Sequence, residues 1–128
     1  SFLAVHEGPQ RIATSAGGQA GTEEPLAAGM FISNEPGYYK TGDYGIRIEN
    51  LILVEPREIE GAEGDYLGFE TLTYAPIERA LVDTEIMTRD ELRWWDDYHA
   101  KVLEIVGPQL DGEARRWLEA ACAPLTRG

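Results

Sequence analysis

The sequence predicts an α+β chain, a mixed or antiparallel sheet followed by a helical tail, and three observations predict it. Short apolar runs bounded by Gly and Pro fill the stretch up to Tyr74, a spacing that suits strands. The richest of them, Gly45 to Val54, carries Ile46, Ile48, Leu51, Ile52, Leu53 and Val54. After Thr88 the apolar residues recur at helical spacing instead. The natural division places the sheet region in residues 1–87 and a helical extension in 88–128, within a length that suits one domain with a real core.

Taken in order, Ser1 to Gly8 is apolar and breaks at His6-Glu7-Gly8-Pro9. Residues 9–25 are rich in Gly, Ala, Ser and Thr, with Gly17-Gly18 and Gly21 marking a flexible connection. Met30 to Asn34 is a short strand. Glu35-Pro36-Gly37-Tyr38-Tyr39 stops it, because Pro36 has no amide donor and Gly37 accepts turn dihedrals. Lys40 to Tyr44, with Gly42, is loop. Gly45 to Val54 reads as one strand, and its near-continuous apolar run belongs to a sheet covered on both faces. Residues 55–65 set five acidic side chains against Arg57, which predicts a solvated turn. Leu67 to Tyr74 is a further strand.

Thr88 and Glu91 have the spacing of a capping box, in which each satisfies a free amide at a helix start. Leu92, Trp95, Tyr98, Val102, Ile105 and Val106 then form one apolar face, ended by Gly107-Pro108. Asp111 caps a second, shorter helix with Ala114, Trp117, Leu118 and Ala121 inward, stopped by Pro124. Trp95 and Trp117 are packing anchors on these stripes. Trp94 lies off its stripe, where it can serve an interface.

Eleven basic and 23 acidic residues give a net charge of −12. Nucleic acid and anionic membrane surfaces both want a basic patch, so neither is an expected partner. A divalent cation or a substrate with a positive amino terminus suits this field, although acidity also serves plain solubility. No apolar run has the length of a membrane span. No basic segment followed by an apolar one marks a signal peptide, and the opening residues read as the middle of an element. Cys122 is the single cysteine, which excludes an internal disulfide and makes a reducing cytoplasm the expected setting.

Glu35 and Glu49 are the residues most able to carry chemistry. Each sits in or at the end of an apolar strand, where an unpaired carboxylate is costly to bury. If Met30–Asn34 pairs antiparallel with Gly45–Val54, the two carboxylates converge. They then need a cation, a shared proton or an arginine. Arg47 shares a strand face with Glu49, so a Glu–Arg pair joining two strands competes with a metal site, and spacing leaves both open. Two carboxylates alone would be an incomplete first shell for a manganese-, cobalt- or zinc-type ion. His6, at the break of an apolar strand, can donate a hydrogen bond or shuttle a proton, or simply bond to nearby backbone. His99 reads as a helix-surface or interhelical contact, since no other ligand type accompanies it. Tyr38 and Tyr39 can line a pocket mouth.

Val5-His6-Glu7-Gly8-Pro9, then Asn34-Glu35-Pro36-Gly37-Tyr38-Tyr39, then Gly45-Ile46-Arg47-Ile48-Glu49-Asn50 resemble, in order, the pattern of aminopeptidase P. This is the Xaa-Pro aminopeptidase branch of the metallopeptidases with the pita-bread fold. Thr71 to Ile77 and the Trp94-to-His99 run extend the resemblance over nearly the whole chain. It implies that residues 1–87 are the C-terminal portion of the catalytic domain. It implies that Glu35 binds one metal and Glu49 bridges two, with Arg47 and Tyr39 as a second layer around metals and substrate. It gives His6 the task of steadying substrate and the tetrahedral intermediate. The implied cofactor is a pair of divalent ions, manganese first, with cobalt or zinc as alternatives. The implied substrates are peptides with proline in second position, and the implied assembly is a cytoplasmic homodimer.

By the same resemblance, two aspartate ligands and a metal-binding histidine belong upstream of Ser1, so the segment is expected to be inactive by itself. The tail beyond Thr88 and the His6-Glu7-Gly8-Pro9 motif favour aminopeptidase P over a proline dipeptidase. A non-catalytic binding or dimerisation module of the same fold is the reading from another class.

Overall fold

The computed structural model describes residues 8–13 and 21–125. The chain divides into two compact units, one ending at Thr73 and one beginning at Tyr74. His6 and the Gly17-Gly18 connection lie outside the described residues.

The first unit contains β1 (Phe31–Asn34), β2 (Gly37–Tyr39), β3 (Gly45–Arg47), β4 (Asn50–Arg57) and β5 (Tyr66–Thr71). They form a three-stranded sheet in the order β1-β4-β5 and a β2–β3 hairpin, antiparallel at every pairing. Of the mixed and antiparallel alternatives, the antiparallel one holds among the described residues. The single strand expected over Gly45–Val54 is instead two, and the stop expected over residues 35–39 contains the short strand β2. The reason is local. Pro36 has no amide to donate, so the ladder opens there, and the Ile48 amide crosses the gap to the Pro36 carbonyl at 3.1 Å. Register is nonetheless continuous: Asn34 pairs with Asn50 on one side of the gap and Gly37 with Arg47 on the other. The hairpin closes through Lys40–Tyr44 and Asp43–Lys40 backbone bonds, with Gly42 at φ 73°.

Alternation sends Ile32, Ile52 and Val54 to one face, where they are buried with Leu26 and Met30 against them. Full burial of such a side chain stabilises by about 1.5–3 kcal/mol. The other face presents Phe31 and Leu51, which are exposed, so the cover expected on both faces is not met among the described residues. β4 also runs three residues into the segment expected to be a turn, as far as Arg57.

The second unit holds α1 (Arg89–Val106) and α2 (Gly112–Ala121), joined by a 3-10 turn at Gly107–Gln109. The capping box is formed as expected: the Glu91 amide donates to Thr88 Oγ1 at 3.2 Å, and the Thr88 amide to Glu91 Oε2 at 2.7 Å. Trp95 and Val102 are buried, but Ile105 is exposed. His99 is wholly buried rather than on the helix surface. Val102, Leu118 and Cys122 form the core between the helices, with Tyr74, Tyr98, Leu103, Val106 and Leu110 around it. Because Leu118 and Cys122, one turn apart, define the inner stripe of α2, Trp117 falls beside it and is exposed; Ala114, one turn before Leu118, is exposed as well, contrary to the expected packing. Asp111 stands at the N-cap but makes no side-chain capping bond. The free carbonyls at the far end of α2 are met by Arg79, whose guanidinium donates to Ala120 and Ala123 at 2.9 and 3.1 Å and to Pro124 at 3.4 Å.

Candidate metal centre

Continuous register across the Pro36 gap decides where the acidic residues go. Glu35 follows Asn34 and Glu49 precedes Asn50, so the two fall opposite each other. Side chains alternate, and one face of the long hairpin therefore carries Ser33, Glu35, Gly37 and Tyr39 against Gly45, Arg47 and Glu49. Two like charges placed directly opposite repel. Arg47 lies between them, its Nη2 3.2 Å from Glu49 Oε2 and its Nη1 3.8 Å from Glu35 Oε2. The Ser33 hydroxyl donates to Glu35 Oε1 at 2.7 Å and fixes that carboxylate from the other side.

Tyr39 completes the arrangement, one pair along this face of the hairpin from the Gly37–Arg47 pair. Tyr39 is the first cause that raises the Arg47 guanidinium above its ordinary value, followed by the charges of Glu49 and Glu35. The side chains of Glu35, Glu49 and Arg47 are 33%, 43% and 49% exposed. At that exposure none of the three is a buried charge.

Four of the five expected site residues are thus brought together, and the fifth, His6, lies outside the described residues. Ser33 carries no sequence signal of its own beyond its place two residues before Glu35, which puts it on the same face. Gly37 carries only the signal of a turn residue, and Gly45 carries none. Glu35 and Glu49 supply hard oxygen donors of the kind a divalent ion takes. Among the described residues no group of three or more His, Cys, Asp and Glu side chains gathers, so these two fit as part of a ligand set rather than as a whole one.

Two family models match the chain. Residues 3–56 match the model of metallopeptidase family M24, and residues 65–125 match the model of the C-terminal region of peptidase_M24. The chain is 45% identical over 128 residues to "Probable Xaa-Pro aminopeptidase P" of Laccaria bicolor, covering 97% of this chain and 20% of that protein. It is 39% identical over 129 residues to "Xaa-Pro aminopeptidase 1" of Dictyostelium discoideum, covering 98% and 20%. The crystal structure of X-prolyl aminopeptidase from Caenorhabditis elegans, described as a cytosolic enzyme with a di-nuclear active site, superposes with a TM-score of 0.78 at 35% identity. That match covers 96% of this chain and 20% of the other. The chain therefore spans about a fifth of the length of the relatives it matches. With family motifs at both ends and this fold between them, the chain belongs to metallopeptidase family M24, in its aminopeptidase P branch, as a C-terminal part of the pita-bread catalytic domain.

Proposed function

We propose that this chain contributes to a dinuclear-metal aminopeptidase that removes the first residue from peptides with proline second. One observation carries the reading: register sets Glu35 opposite Glu49, with a cation already between them. Glu35 would hold one divalent ion, and Glu49 would supply a carboxylate to both ions of the pair. Manganese is the first choice for oxygen donors, with cobalt or zinc as alternatives. Such ions, when bound, supply Lewis acidity and make water a nucleophile at neutral pH.

The chain's own residues do the positioning. Ser33 aims one oxygen of Glu35 away from the centre, and Arg47 offsets the repulsion between the two carboxylates. Tyr39 orients Arg47, and His6 steadies the substrate carbonyl as it becomes tetrahedral. A net charge of −12 draws the positive amino terminus of a peptide. Among the described residues no helix is long and apolar enough to cross a membrane. A cytoplasmic homodimer is the setting we assign, with exposed Trp94 stacked on Tyr98 at 5.5 Å as a candidate contact.

The test compares this chain with a longer protein that includes the segment preceding it. The chain alone is expected to release no arginine from an Arg-Pro-Pro peptide, and the longer protein to release it. Glu49→Gln in the longer protein should abolish release and reduce bound manganese measured by elemental analysis. Wild-type release by that variant would overturn the metal assignment. Offering a dipeptide beside the tripeptide separates aminopeptidase from proline dipeptidase.

A further inference from the structure

Gly37 and Gly45 sit on the face of the hairpin that carries the candidate site, and they flank Tyr39 on it. Gly45 is its cross-strand partner and Gly37 its neighbour two residues back. Neither has positive φ, so backbone conformation does not demand glycine at either position. Their surroundings do. A Cβ on Gly45 would stand 2.7 Å from Tyr39 Cδ1 and 3.2 Å from Cε1. On Gly37 it would stand 2.9 Å from both Cε2 and the hydroxyl of the same ring, and 3.0 Å from Cζ. The two glycines contact opposite edges of one ring.

We propose that Gly37 and Gly45 are positioning residues: a floor without side chains on which the Tyr39 ring lies, so that its hydroxyl end is held at Gly37, beside that residue's cross-strand partner Arg47. Aromatic rings recurrently cover a cross-strand glycine in this way. The role is positional rather than a matter of stability, because Tyr39 is 65% exposed and its ring can swing into solvent when displaced. What a methyl group displaces is the Tyr39 ring from its place beside Arg47, not the hairpin. The consequence for catalysis rests on the aminopeptidase reading, whereas the geometry does not, and the test separates them.

The readout is the side-chain Nε–H resonance of Arg47 in the ¹⁵N-labelled chain, assigned by its disappearance in Arg47→Lys. Gly45→Ala and Gly37→Ala should each move it as far as Tyr39→Phe does, towards the position of free arginine. In a Tyr39→Ala background, adding Gly45→Ala should move it no further, since the methyl group then has no ring to displace. The proposal is overturned if Gly45→Ala leaves the resonance where wild type has it, or shifts it equally with and without the ring. Should Gly45→Ala fail to fold, Tyr39→Ala/Gly45→Ala decides: it must fold as Tyr39→Ala does, and its failure overturns the proposal. None of these readouts is turnover, so a failed aminopeptidase assay leaves them standing.

Discussion

Replacing His99 separates its hydrogen bonds from its volume. The ring is completely buried, stacked on Trp95 at a centroid distance of 4.3 Å. Its Nε2 accepts from the Ile77 amide at 3.1 Å, so the proton sits on Nδ1, which faces the Trp95 carbonyl at 2.9 Å. His99→Phe fills the same space and leaves the Ile77 amide without this acceptor. An unsatisfied buried donor costs about 1–3 kcal/mol. The Trp95 carbonyl loses less, because it also belongs to the helix ladder of α1. His99→Ala adds a cavity, which brings the expected loss to about 3–5 kcal/mol. Urea unfolding followed by tryptophan fluorescence reads this directly, since Trp94, Trp95 and Trp117 all lie in the second unit. With a slope of about 2 kcal/mol per molar, His99→Phe should lower the midpoint by roughly 1 M, and His99→Ala by more. A His99→Phe midpoint equal to wild type would refute the hydrogen-bond account. Equal losses in both variants would refute the packing account.

Other perturbations have signs fixed by the same structure. Thr88→Ala should cost about 1 kcal/mol in the same unfolding assay, as loss of an N-cap does. The Glu91 carboxyl is held below its ordinary value of 4.5 by the Thr88 amide first and the Thr88 hydroxyl second. A depressed folded pKa contributes stability that is present above the unfolded value and lost as pH falls through the folded one. The gap in melting temperature between wild type and Glu91→Gln should therefore be open at neutral pH and close on acidification below that ordinary value. Arg79→Met should lower stability by about 1–2 kcal/mol by freeing three carbonyls at the end of α2, with Arg79→Lys restoring only part because an ammonium cannot fork.

What could be read in the sequence was what local rules decide. The Thr88–Glu91 box needs only a spacing of three residues and a following helix, and both partners formed as expected. The convergence of Glu35 and Glu49 needed only antiparallel pairing around a short loop. It survived the division of Gly45–Val54 because Pro36 opened the ladder without shifting its register. His99 was misread for the opposite reason. Its acceptor role depends on the Ile77 amide, 22 residues away, and nothing local to the helix announces that partner. Trp117 failed similarly. Several stripes of a short helix fit an apolar pattern, and contact with Val102 rather than periodicity selected the one through Leu118 and Cys122.

The competing account of the candidate site, a pair of ion pairs that merely joins strands, can be weighed against its own energetics. Arg47 and Glu49 are nearly half exposed and Glu35 a third, the regime in which ion pairs contribute little to folding. Against that small gain stand two carboxylates set opposite each other on one face, which repel and which a hydrophobic or neutral pair would avoid. The β1–β4 ladder already joins the strands through four residue pairs, so the link adds little that backbone pairing lacks. Stability thus supplies no reason for two glutamates at these positions. A divalent cation shared between them is the reason we propose, and Arg47 occupies the place between them in this structure.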